Sequence, residues 1–156
     1  MHGFYFYIFT PMQKIPLEIL ELQGDGYHIL IDVCLFDQPF KMVLDTGASK
    51  TVLDKTTLLQ SGIPEEKIEN TNIISTGLGT NSMESFILEL PTFEIGNWKI
   101  KKFITAVLDL SAVNYAYQQM NLPPVIGVLG GDILVSYAAR IDYRKQLLTL
   151  RDRKVS

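Results

Sequence analysis

The chain is poor in the residues that build most cofactor and nucleophile sites. It holds one cysteine and two histidines in 156 residues, which leaves no internal disulfide and no Cys/His cluster with zinc-site spacing. Cys34 and His28 both fall in an apolar, strand-like stretch. With no serine or cysteine nucleophile motif beside them, they read as a small core residue and a hydrogen-bonded structural histidine. No run of about 18 apolar residues occurs, so no transmembrane helix is expected. Residues 1–9 are aromatic and apolar but lack the positive flank and small-residue cleavage pattern of a signal peptide. Basic residues are in the minority: the formal charge is −3, and the basic cluster Arg151 to Lys154 stands in a polar tail. This composition gives no electrostatic footprint for nucleic acid. A disulfide-free chain fits a reducing cytoplasm, and neither a cofactor nor a metal is expected.

What is present describes one well-packed domain. Hydrophobic residues make up 47% and charged residues 20% of the chain, and its length supports a single core. The expected organisation is an extension without fixed structure over residues 1–16, a domain over 17–150 and a polar tail over 151–156. Leu17 to Leu22 is strand-like, Gly24-Asp25-Gly26 breaks it, and Tyr27 to Phe36 reads as a buried strand. A turn is expected at Asp37-Gln38-Pro39, followed by the strand Phe40 to Leu44. Thr51 to Gln60 has helical spacing, and Ser61-Gly62-Ile63-Pro64 stops it. Ile68 to Ser75, Met83 to Leu90, Thr92 to Ile95 and Trp98 to Leu108 alternate as strands, with turns at Gly77 to Ser82 and at Gly96-Asn97. Ser111 to Asn121 reads as a helix or structured insert closed by Pro123-Pro124. A strand at Val125 to Leu129, a short helix at Gly131 to Tyr137 and a last hairpin through Ile141 and Leu148 complete a mainly all-β chain.

One tripeptide carries chemistry. Asp45-Thr46-Gly47 alone is weak, because all three are common turn residues and the combination arises by chance in roughly 2–5% of chains this long. Its setting is more informative: it directly follows the apolar Met42-Val43-Leu44 and precedes Ala48-Ser49 and then Thr51-Val52-Leu53. A buried strand thus delivers a carboxylate into a tight glycine-containing loop, which fixes a reactive acid.

Val43 to Ser49 followed by Thr51-Val52-Leu53 resembles the active-site loop of retropepsin-like aspartic proteases. Val128-Leu129-Gly130, followed by Gly131-Asp132-Ile133-Leu134, stands where that family has its apolar-apolar-Gly element, and the ending Ile141 to Leu150 resembles its last hairpin. The resemblance implies a closed acid-protease β barrel with one or two short helices. It implies an aspartic endopeptidase acting on a peptide or protein substrate, with Asp45, Thr46 and Gly47 catalytic. Ala48 and Ser49 would line the floor of the site. Gly77, Leu78 and Gly79 would form the tip of a flap closing over substrate. Because no second Asp-Thr-Gly or Asp-Ser-Gly occurs, the second carboxylate would come from another copy in a two-fold homodimer. Asp132 reads as a cap of the helix that follows, and Tyr115, Tyr117 and Met120 as packing. Two other functions stay open: a catalytically silent dimerisation or peptide-binding module with this fold, and a small-ligand-binding barrel, which needs an apolar cavity inside the sheet.

Overall fold

A computed structural model describes residues 11–76 and 82–155, without the side chains of residues 72–76, 82 and 83. Its elements are β1 (Met12–Pro16), β2 (Glu18–Glu21), β3 (Tyr27–Leu35), β4 (Gln38–Leu44), β5 (Val52–Asp54), α1 (Lys55–Gln60), β6 (Glu69–Thr76), β7 (Ser82–Ile95), β8 (Trp98–Leu108), α2 (Ser111–Gln119), β9 (Gly127–Leu129), α3 (Gly131–Ser136), β10 (Arg140–Asp142) and β11 (Leu147–Arg151).

Period-two patterning builds the main sheet. Along β3 the residues Ile29, Ile31, Val33 and Leu35 share one face, and all four are buried. The neighbouring strands run in the order β3, β4, β9, β5, β8, β7, and Val33↔Ile95 pairs β7 back to β3, which closes the barrel. Its interior holds Leu35, Met42, Leu53, Phe93, Val107 and Leu129, all completely buried. Each contributes about 1.5–3 kcal/mol of transfer free energy.

A second sheet, ordered β1-β11-β10, is built from the two ends of the chain. Trp98 fastens it to the barrel: its indole N–H donates to the Arg151 carbonyl (2.8 Å) and its ring packs edge-on against Tyr137 at 4.8 Å. Residues 12–16, expected to lie in an unstructured extension, therefore form a strand, because Met12↔Arg151 to Pro16↔Leu147 satisfy the backbone and Ile15 is buried. The expected tail is likewise tied down. Arg151 closes β11, the Asp152 N–H donates to the Pro11 carbonyl, and the Val155 N–H donates to that of Ser136.

Several local expectations shift. The turn before β4 is Phe36-Asp37, both at positive φ (49° and 59°), as a two-residue hairpin turn requires. Gln38 and Pro39 are consequently already paired strand residues. The helix expected from Thr51 starts only at Lys55, since Val52–Asp54 is held as strand between β8 and β9. Thr92 to Ile95 is the end of one long strand, β7. Three short helices stand among the described residues where one or two were expected, because the insert folds as α2.

That insert is docked firmly. Tyr117 and Val125 pack with Leu22, Leu30 and Val43 on the outer face of the barrel. The Asn114 amide N–H donates to the Val125 carbonyl (3.1 Å) and its oxygen accepts from the Val125 N–H (2.8 Å). Asn114 also donates to Asp54 (3.2 Å). Asp54, only 1% exposed, further accepts from the Thr57 N–H and hydroxyl and from the Leu110 N–H. The buried carboxylate is thereby surrounded by donors, as burial of a charge demands.

Candidate active site

The Asp45 loop exists because β4 and β5 do not pair with each other. β9 lies between them, parallel to β4 (Met42↔Gly127 to Leu44↔Leu129) and antiparallel to β5 (Val52↔Val128). Residues 45–51 must cross over the end of β9, and they are fastened to it at each step. The Asp45 N–H donates to the Leu129 carbonyl (3.0 Å), and the Gly131 N–H donates to the Ala48 carbonyl (2.8 Å). Gly130 permits the close approach: a Cβ there would stand 2.5 Å from the Lys50 carbonyl.

Within the loop, the Ala48 N–H donates to the Asp45 carbonyl (3.2 Å) and the Gly47 N–H to the Asp45 Oδ1 (2.9 Å). One carboxylate oxygen is thus oriented by backbone, while Oδ2 makes no hydrogen bond among the described residues. Asp45, Thr46, Gly47 and Ser49 are exposed and Ala48 is half-buried. The expected catalytic and floor residues therefore come together on one loop at the end of the barrel. β6 and β7 pair up to Thr76↔Ser82, and the expected flap tip, Gly77, Leu78 and Gly79, lies outside the described residues.

The residues that hold the loop are the ones sequence reasoning passed over. Thr51, 1% exposed, donates through its N–H (2.9 Å) and its hydroxyl (2.7 Å) to the Asp132 Oδ1, while its hydroxyl oxygen accepts from the Gly130 N–H (3.1 Å). The Thr105 hydroxyl donates to the Thr51 carbonyl (3.1 Å). Asp132 was expected to cap its own helix, yet the cap position is Gly130, with no side-chain cap bond. Its Oδ1 does accept from the first-turn N–H of Ile133 (2.9 Å), and the same oxygen cross-links α3 to the loop through Thr51. Asp132→Ala strands two donors at a buried threonine and is expected to lower stability by about 2 kcal/mol. Asp132→Asn, which keeps an acceptor oxygen, should lose less. Urea denaturation midpoints measure the difference.

No group of three or more His, Cys, Asp or Glu side chains is placed to hold a metal ion among the described residues. Nor is any helix among them long and apolar enough to cross a membrane.

Comparison with known proteins agrees with this architecture. A family model described as aspartyl protease matches residues 31–133, a span that includes the Asp45 loop, β9 and Asp132. The chain belongs to the aspartyl proteases, with the retropepsin-like fold. Among solved structures it is similar to a retropepsin-like aspartic protease from Rickettsia conorii, with 24% identity over 93% of each chain and a TM-score of 0.55. It is also similar to the retroviral protease-like domain of Ddi1 from Leishmania major, with 15% identity over 80% of this chain and 89% of that one and a TM-score of 0.55. A third likeness is to EIAV protease complexed with the inhibitor HBY-793, with 23% identity over 74% of this chain and 91% of that one and a TM-score of 0.50. No curated protein matches the chain.

Proposed function

We propose that the protein is an aspartic endopeptidase whose active centre forms between the Asp45 loops of two copies. The observation that carries this reading is the Asp45 carboxylate itself, exposed at the end of the barrel with one oxygen held by the Gly47 N–H and the other without a hydrogen bond among the described residues. Peptide hydrolysis needs a base and an acid at once. One carboxylate takes a proton from water, whose oxygen attacks the scissile carbonyl carbon, while the other gives its proton to the carbonyl oxygen. Collapse of the tetrahedral intermediate then breaks the C–N bond, and the amine leaves with a proton. Two carboxylates in contact share a proton because both cannot be charged cheaply, which assigns the two roles without further machinery. A two-fold axis beside Asp45 supplies the second carboxylate as the partner's Asp45. The firmly clamped loop supports the reading, since a reacting group must be held in place before the substrate arrives.

The test is cleavage of an unstructured protein. Hydrolysis should be blocked by a statine-type peptide, whose hydroxyl replaces the attacking water. Chelators and serine- or cysteine-directed reagents should leave it intact. A folded wild type that cleaves nothing would favour the silent binding module, and inhibition by chelator alone would make the carboxylates metal ligands.

A further inference from the structure

Helix α2 hydrogen-bonds the β3 side chain that stands nearest the Asp45 loop in the pairing register, His28. The pairing of β3 with β4 runs from Leu35↔Gln38 to Leu30↔Val43. Continued by two residues, that register sets His28 opposite Asp45. Residues opposite one another project from the same sheet face. Here it is the outer face, because Leu30 and Val43 pack there with Tyr117 under α2. His28 accordingly stands within hydrogen-bond reach of Tyr117 and lines the same recess as Asp45. Its Nδ1 lies 2.8 Å from the Tyr117 hydroxyl oxygen, and the two ring centroids are 5.8 Å apart. The expected structural histidine is thus satisfied at one nitrogen, while Nε2 has no hydrogen bond among the described residues.

His28 and Asp45 line one recess of about 200 Å3, together with Tyr27, Ile29, Ile141 and Tyr143. That volume suits one side chain and falls below the ~300–1,000 Å3 of small-molecule pockets. Tyr27, Ile29, Ile141 and Tyr143 offer contact area, while His28, Asp45 and Thr46 contribute to a largely polar surface. The imidazole offers a hydrogen bond within it.

We propose that Tyr117 is a positioning residue that makes His28 a substrate-reading side chain. Its hydroxyl donates to Nδ1, leaves the ring proton on Nε2, and turns that N–H toward a hydrogen-bond acceptor on the peptide beside the scissile bond. This inference rests on the protease reading. Tyr117 is suited to donate: it is 2% exposed, and burial first, then the negative charge of Glu18, push its hydroxyl above the ordinary phenol range, so it keeps its proton. A fixed N–H discriminates between side chains, because an aliphatic one leaves it without an acceptor on the substrate. The recess should favour glutamine or glutamate over methionine, which has similar reach and no strong acceptor.

The experiment compares peptide-library cleavage by wild type, His28→Ala, His28→Gln and Tyr117→Phe, with ring 15N spectra of His28. Wild type should prefer an acceptor side chain at one position, and its spectrum should show the Nε2–H tautomer. His28→Ala should lose the preference, with KM for the best peptide raised about twofold to tenfold, the range one ordinary hydrogen bond spans. His28→Gln, whose amide nitrogen reaches near the place of Nε2, should keep much of the preference. Tyr117→Phe should weaken it and mix the tautomers. A wild type whose cleavage profile is unchanged in His28→Ala overturns this inference alone. A folded wild type that cleaves no peptide overturns the protease reading and this inference with it.

Discussion

Asp45→Asn is expected to lower the rate of peptide hydrolysis by at least about ten thousandfold, with little change in melting temperature. In a two-fold assembly the substitution removes both carboxylates, hence both the base and the acid, and each such role accounts for about 10²–10⁴ of a rate enhancement. An amide cannot take a proton from water at useful cost. Stability should hardly respond, because Asp45 is exposed and its carboxylate accepts from the Gly47 N–H, a bond that an asparagine oxygen can also accept. Initial rates on a fluorogenic peptide, alongside thermal unfolding of both proteins, measure this. Retention of more than a small fraction of the activity would remove Asp45 from the chemistry.

Gly127→Ala should have the largest effect on stability. Gly127 begins β9, wedged between Met42 of β4 and Leu53 of β5. A methyl there would overlap the Val52 carbonyl oxygen and press on the Leu53 Cα, both backbone atoms that no rotamer change can move. Relief would require separating β5 from β9, and with it the crossing that shapes the Asp45 loop. The expected cost is upwards of about 4 kcal/mol, beyond what ordinary core overpacking costs. The variant should accumulate as insoluble or unfolded protein. Gly131→Ala is the control, since a Cβ at that position meets its nearest neighbours at 3.5 Å, an ordinary contact. Equal stability of the two variants would contradict the packing argument.

The sequence marked the candidate loop more readily than the frame that holds it. Asp45-Thr46-Gly47 was legible because a carboxylate after an apolar run is conspicuous, and Val128-Leu129-Gly130 because its apolar pair is the strand buried beneath that loop. The alternation in β3 and β8 likewise marked strands of the barrel. Long-range pairing left no such local trace. Thr51 to Gln60 carries helical spacing throughout, yet Val52–Asp54 is drawn into strand by neighbours more than 50 positions away at Ala106–Leu108. Nothing near Met12–Pro16 announces β11, whose Leu147–Arg151 supplies its partners from the far end of the chain. The role of Asp132 was hidden for a related reason. A polar side chain beside a helix start resembles a cap, and only the fold shows Thr51 occupying its oxygen. Tyr117 read as packing, which it is, but its hydroxyl finds His28 across the docked insert.

If two copies each contribute Asp45 to one centre, mixing active with inactive chains must silence most of the activity. Wild type is held at fixed concentration, equilibrated with a ninefold excess of Asp45→Asn protein, and assayed for peptide hydrolysis. If activity belongs to pairs of wild-type chains, nine in ten of those chains become paired with an inert partner, and the rate should fall about tenfold under random pairing. A rate unchanged by the excess, with exchange of subunits shown independently, would mean that a single chain carries the whole catalytic apparatus.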